Sequence, residues 1–168
     1  PDTLHEEHWK VFEQAWWRKE VRQGRISRPR IDTLLDYWLE MRLHEEVASH
    51  DVFQKFRRHM EDSGRDVTGV LKHLKETAIT WRRLDEFEES SPMGKFVYRW
   101  SLIEVGPLTP LILRLLELQR LGILGDKSLG RATDHVESFL MRRMICRMTT
   151  KDYNRLFLEL LRQVDERS

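Results

Sequence analysis

The stretch that decides the fold runs from Ala132 to Val164 and reads ATDHVESFLMRRMICRMTTKDYNRLFLELLRQV. Its second half spaces apolar residues three and four apart, at Tyr153, Leu156, Phe157, Leu160, Leu161 and Val164. Its first half does the same with Val136, Phe139, Leu140 and Met144. Such spacing places each set on one face of a helix. The stretch therefore predicts two amphipathic helices that are separated by a short break at Thr149-Thr150.

The same helical spacing recurs through the rest of the chain. It marks further helices near residues 4–16, 31–39, 52–60, 67–88, 96–103 and 111–119. The apolar residues of the first and third of these, which include Leu4 and Phe53, are expected to face inward. Gly122 follows the last of these helices and is predicted to end it, because glycine readily adopts the left-handed conformation of a helix terminus. Nowhere do β-branched residues alternate with period two, so no strand is predicted. The sequence predicts an all-α fold, an antiparallel helical bundle of about eight helices within one domain, residues 1–168.

The charge balance limits what composition says about partners. The chain of 168 residues has 29 Lys and Arg against 28 Asp and Glu, a formal net charge of +1, so any nucleic-acid footprint must be local. A single cysteine, Cys146, excludes an internal disulfide and favours a cytoplasmic location. No apolar run has the length of a membrane span, so no membrane association is expected. Because the chain starts at Pro1 rather than Met, we expect it to be a fragment of a longer multidomain protein.

The six tryptophans are candidates for stacking on a base or another ligand. An indole buries a large area, so we expect most of them in the core. Trp17 lies off the apolar stripe of its predicted helix and is the exception most expected to stay outside.

Two histidine patterns raise the question of a metal site. His5 and His8 form an H-x-x-H pair, which supplies only two ligands and is not the H-E-x-x-H of metalloproteases. His50-Asp51 is the dipeptide used by helical metal phosphohydrolases, where metal-bound water attacks a phosphate ester. Such a site also needs ligands on facing helices, and nothing singles them out. We expect no metal, no cofactor and no catalytic residue in this chain.

The last predicted helices carry a cluster of cations. Its members are Arg142, Arg143, Arg147, Lys151 and Arg155. Cations near a helix C-terminus stabilise that terminus, which is one interpretation. The other is an interface with DNA or with a neighbouring protein domain. A second, smaller set consists of Arg25, Arg28 and Arg30.

The segment 137–157, ESFLMRRMICRMTTKDYNRLF, resembles the helical region of the GmrSD-type modification-dependent restriction endonucleases. The family pattern is Glu-Ser, apolar residues, Arg-Arg, small apolar residues, a Thr-containing turn, and then an aromatic residue with Asn. The matching residues are Glu137, Ser138, Leu140, Met141, Arg142, Arg143, Ile145, Cys146, Thr149 or Thr150, Tyr153, Asn154 and Phe157. Weaker similarity, mostly in apolar positions, extends upstream to Leu4-His5, Leu34 to Leu39, Val52-Phe53 and Pro107 to Leu116.

The resemblance implies a parent with an N-terminal ParB/Srx-like domain that handles nucleoside triphosphate and a C-terminal nuclease domain of the His-Asn-His type. The Asp-Gly-Gln-Gln-Arg signature of the first and the His motif of the second are absent here. The chain would then be a non-catalytic helical connector in an anti-phage restriction system, with the NTPase-like and nuclease-like domains as its partners. Two alternatives stay open: a module that contacts target DNA, with a helix-turn-helix around Met148-Thr149-Thr150, and a helical metal phosphohydrolase.

Overall fold

The computed structural model describes residues 3, 5–23, 26–64 and 66–168, and the chain is 76% helical. This confirms the all-α fold class. The α-helices are α1 (Ala15–Arg18), α2 (Arg30–Leu43), α3 (Val52–Asp62), α4 (Val67–Arg82), α5 (Pro92–Ile103), α6 (Thr109–Arg120), α7 (Asp126–Ile145) and α8 (Tyr153–Arg167). A π-helical turn covers His5–Trp9, and 3₁₀ turns cover Lys10–Glu13, Arg83–Glu86 and Gly106–Leu108.

The chain forms two compact units, Pro1–Ile79 and Thr80–Ser168, and their boundary falls within α4. Each unit has its own set of buried apolar side chains. The single domain expected from chain length stays a prediction, and the two units are described separately below.

A short β-hairpin interrupts the first unit. Strand β1 (Glu20–Gln23) pairs antiparallel with β2 (Ile26–Pro29). The prediction that the chain has no strand is therefore wrong at this point. Four residues are too few to show a period of two, and the charged residues of the segment favour a loop interpretation. Gly24 and Arg25, which join the two strands, lie outside the described residues.

Helix α2 is the central helix of the first unit. Leu34, Trp38 and Leu39 are at most 1% exposed, as their helical spacing predicts. The other buried apolar residues of this unit are Phe12, Trp17, Tyr37, Met41, Val47, Val70, Leu74 and Ala78. The apolar stripe of α2 thus organises the core of the unit.

The expectation that Trp17 stays outside is wrong. Its side chain is 1% exposed and meets the rings of Phe12 and Trp16 edge-on, at centroid distances of 5.4 and 4.6 Å. The continuous N-terminal helix on which that expectation rested is broken at Gln14, where ψ is 144°. Residues on either side of the break do not share one helical register. Leu4, which was assigned to the same helix, lies outside the described residues.

Two arginines of the small basic set near the hairpin, Arg28 and Arg30, make contacts within the first unit. Arg28 forms an ion pair with Asp36, whose side chain is 4% exposed. The guanidinium of Arg30 lies 3.9 Å from the ring centroid of Trp16. These two arginines therefore hold β2 and α2 to their neighbours, whereas Arg25 is not described.

Near the end of α2, the carboxyl group of Glu40 accepts a hydrogen bond from the backbone N–H of Val47, at 3.4 Å. Burial raises the pKa of Glu40 to about 7, and the nearby carboxylates of Asp36 and Glu46 act in the same direction. The bond from Val47 opposes the rise in pKa. Burial therefore favours the neutral carboxyl group of Glu40, whereas the bond from Val47 favours the charged carboxylate.

Helix α6 is the central helix of the second unit and is buried on nearly all sides. Its buried residues are Thr109, Pro110, Leu111, Ile112, Leu113, Leu115, Leu116, Glu117 and Leu118. Helices α7 and α8 pack against it, and α5 packs against α7. Arg114 on α6 donates to Asp165 at 2.5 Å, which fixes the end of α8. Although α6 is apolar on most sides, neither it nor any other described helix is long and apolar enough to cross a lipid bilayer.

Candidate functional site

The turn between α7 and α8 is built by a Schellman motif, in which the two residues after a helix return hydrogen bonds to its last turn. Arg147 has a positive φ of 51°. The N–H of Met148 reaches the carbonyl of Arg143 at 2.9 Å, and the N–H of Arg147 reaches that of Met144 at 3.0 Å. The motif satisfies carbonyls that would otherwise lack partners and turns the chain toward α8.

The second arginine of the pair, Arg143, is engaged within this turn. Its guanidinium lies 5.5 Å from the ring centroid of Phe139 and 5.2 Å from that of Tyr153, and it donates to the carbonyl of Thr149. It therefore links the last turn of α7, the connecting loop and the first turn of α8. We assign Arg143 a positioning role in holding the two helices together.

The remaining cations of the predicted site are exposed. Arg142 donates from Nε to the carbonyl of Ser138 in its own helix, at 3.2 Å, and the rest of its guanidinium lies in solvent. Arg147 and Lys151 make no side-chain hydrogen bond or ion pair with any described residue. Arg155, with a side chain 87% exposed, has one distant carboxylate neighbour, Asp152, at 4.0 Å. The fold thus brings these four cations to one turn and presents them to solvent.

Three large apolar side chains are exposed among these cations. Ile145 is 77% exposed, Met144 55% and Met148 54%. Met144 was placed on one helix face with Phe139, but it is mostly exposed, because an apolar stripe does not show how far along a helix a neighbouring element covers it. Ile145 lies six residues after Phe139 and therefore falls off the apolar stripe of the helix. This spacing was the sequence signal that Ile145 would be exposed. We call the exposed side chains around this turn the basic corner; its members are Arg142, Met144, Ile145, Arg147, Met148, Lys151 and Arg155.

The acidic residues that flank the basic corner are already paired. Glu137 forms an ion pair with Arg99. Arg162 hydrogen-bonds to Glu159 and lowers the pKa of that carboxyl to about 2. Between residues 142 and 155 the sequence has five cations against one carboxylate, that of Asp152. The corner is therefore locally positive in a chain that is close to neutral.

The histidines singled out in the sequence have other neighbours. His5 pairs with Glu13 at 3.0 Å, and His8 lies 3.7 Å from Glu7. His50, whose side chain is 84% exposed, lies 3.6 Å from Asp51. Within the ranges that the structure describes, no three His, Cys, Asp or Glu side chains are grouped so that they could hold a metal ion. The phosphohydrolase alternative gains no support from these positions.

The helix-turn-helix alternative requires a second helix with one face free for DNA. Helix α8 uses Tyr153, Phe157 and Leu161 to pack on its own unit. Its exposed Arg162 is held by carboxylates of the same helix. Its first turn, with Arg155, is the part left to contact a partner.

A second surface feature lies in the first unit, between α2, α3 and α4. A cavity of about 560 Å³ opens there. Its lining consists of Trp9, Leu35, Ser49, His50, Val52, Phe53, Phe56, Met60, Val67, Val70, Leu71 and Leu74. Helix α3 has no buried residue, and its Phe53 is 75% exposed. The apolar residues of α3 were expected to face inward, and they line this open groove instead.

These two surfaces are described from the chain alone. Neither a scan against protein-family models nor searches of curated proteins and of solved structures found a match to this chain.

Proposed function

We propose that this chain is a non-catalytic helical interaction module, of the kind that joins a nucleotide-binding domain to a DNA-cleaving domain in the GmrSD-type endonucleases it resembles. The observation that carries the proposal is the basic corner, where four cations and three large apolar side chains are exposed at the same turn. The corner falls inside the segment 137–157, where the resemblance is strongest. With its one cysteine unpaired, such a module suits the cytoplasm.

The composition of the corner favours a protein partner over the DNA backbone. Arginine and methionine are enriched in protein interfaces, and their apolar parts supply much of the contact. A phosphate backbone uses the cations but gives no reason for Ile145 and Met148 to be exposed beside them. We therefore keep DNA contact as the second candidate, favoured by the cations alone.

The test uses the complete gene product, in which nucleotide hydrolysis and DNA cleavage are measured separately. Reversing the charge at two exposed positions, Arg142→Glu with Arg147→Glu, leaves Arg143 and the turn in place. We expect the variant to keep its basal hydrolysis and to lose the coupling between hydrolysis and cleavage. The matched control reverses Lys127 and Arg131, which are exposed at the other end of the same helix.

The two double variants change the net charge equally, one at the end of α7 and in the turn after it, the other at the start of α7. A local role for the corner predicts that only the Arg142/Arg147 variant is affected. Unchanged coupling in that variant, or an equal loss in the Lys127/Arg131 control, would exclude the corner as the point of contact.

A further inference from the structure

We propose that the basic corner docks an acidic segment of a partner protein that also presents large apolar side chains. This inference rests on the proposed function and adds the chemistry of the partner. It follows from two properties of the same surface, its excess of positive charge and its exposed apolar side chains.

Among the described residues, the positive charge of the corner is offset only by Asp152, whose carboxylate lies 4.0 Å from Arg155. Arg143 meets a carbonyl oxygen and two aromatic rings, so its charge persists. Arg147 and Lys151 have no carboxylate partner among the described residues. The nearest flanking acids, Glu137 and Glu159, are committed to other arginines. A partner must therefore bring the negative charge, and complementary charge of this kind selects the partner and speeds its encounter.

The apolar part of the corner adds a second requirement. Met144, Ile145 and Met148 leave more than half of their surface in water. Burying such side chains is favourable at about 25 cal/mol per Å². Methionine is flexible and polarisable, so two of the three can adapt to an irregular surface. The partner segment therefore needs its own apolar side chains between its acids.

The shape of the corner argues for a protein segment rather than a lipid surface. The exposed apolar residues sit at the end of α7 and in the following turn. The apolar stripe of α7 before them, at Leu140, is turned into the core. A helix that lies on a membrane instead exposes an apolar face along its whole length.

The chemistry of the partner can be read directly from a peptide library. The probe is a displayed library of 16-residue segments with randomised positions, selected on the chain and counted by sequencing. We expect Asp and Glu, together with Leu, Met and Phe, to be enriched over Lys and Arg. A retained segment should bind about tenfold more weakly to the Arg142→Glu/Arg147→Glu variant, a loss of about 1.4 kcal/mol.

Two further variants separate the parts of the argument. Ile145→Ser with Met148→Ser should weaken the same segment by a similar factor, because the apolar contact is lost. The Lys127→Glu/Arg131→Glu control should bind it as the unchanged chain does. All substituted side chains are exposed, and equal urea midpoints confirm that each variant is folded.

Three results would overturn the inference: no acidic enrichment, enrichment of basic segments, or equal binding by the charge-reversed variant. Duplex DNA is measured in parallel. Binding that falls steeply with salt, is lost with Arg142 and Arg147, and is indifferent to Ile145→Ser with Met148→Ser would assign the corner to DNA. If acidic segments are enriched but the Arg142→Glu/Arg147→Glu variant keeps its coupling in the complete protein, the corner binds an acidic partner segment and the connector role is rejected.

Discussion

The Arg142-Arg143 pair allows two adjacent arginines to be distinguished by their effect on stability. Arg143 donates to the carbonyl of Thr149 and lies over the rings of Phe139 and Tyr153. Arg142 has only a bond to its own helix. We therefore expect Arg143→Ala to destabilise the fold and Arg142→Ala to leave it nearly unchanged.

The size of the difference follows from the contacts of Arg143. A hydrogen bond from a charged group contributes about 1.5–3 kcal/mol, and the lower end applies to Arg143, which is partly exposed. A cation–π contact at such a site contributes about 0.5–1 kcal/mol. Since these contributions are not additive, we expect a loss of about 2 kcal/mol for Arg143→Ala. An exposed arginine with a single intrahelical bond is worth less than about 0.5 kcal/mol.

Urea unfolding followed by circular dichroism measures both variants. With a slope of about 2 kcal/mol per M, Arg143→Ala should lower the midpoint by about 1 M. Arg143→Lys should fall between the two, because an ammonium keeps the charge but not the flat surface that lies over the rings. An equal loss for Arg142→Ala and Arg143→Ala would refute the division of roles between these two arginines.

Three further predictions concern other positions. Because the pKa of Glu40 is raised to about 7 in the folded protein, folding favours its neutral form. The free energy of unfolding should therefore fall by about 1–3 kcal/mol as pH rises from 4.5 to 8. Urea titrations at each pH should show this fall in the unchanged chain and not in Glu40→Gln. Arg147→Gly should raise the thermal midpoint, since glycine relieves about 1 kcal/mol of left-handed strain, whereas Gly122→Ala should lower the midpoint by a similar energy. Shifts of both midpoints in the same direction would contradict this reasoning. Phe53→Ala should lower the free energy of unfolding by less than about 0.5 kcal/mol and Phe56→Ala by about 2 kcal/mol, as measured by urea midpoints. The reason is that Phe53 is mostly exposed, whereas the ring of Phe56 packs on that of Trp38.

Periodicity predicted part of the core of each unit. Leu34 and Trp38 in α2, and Phe157 and Leu161 in α8, are buried as their spacing requires. Gly122 has the left-handed conformation expected of a residue after a helix, with φ of 74°. These features are local, since each depends on the chain within a few residues of itself.

Periodicity could not predict whether a neighbouring helix covers the apolar face of a given helix. Phe53 and Met144 both continue an apolar pattern, yet both are mostly exposed, because no neighbouring helix covers them. The hairpin was missed for a related reason, since pairing between two four-residue strands leaves almost no pattern in either one. For the candidate site, one local signal was present. Arg143 follows Phe139 by four residues, so the two share a helix face, and Arg142 does not.

The open face of α3 has a consequence for how the first unit fluctuates. A helix of 11 residues has little stability by itself, and α3 buries none of its side chains. Its ring contacts to the core run from Phe56 and His59 to Trp38. We therefore expect local opening of α3 to require less free energy than opening of α2, and its amide protons to exchange with solvent through partial unfolding that leaves the rest of the unit intact. Any molecule that binds in the groove between α2, α3 and α4 would slow that exchange. Hydrogen exchange at α3 would therefore detect binding in the groove even when the bound molecule is not identified.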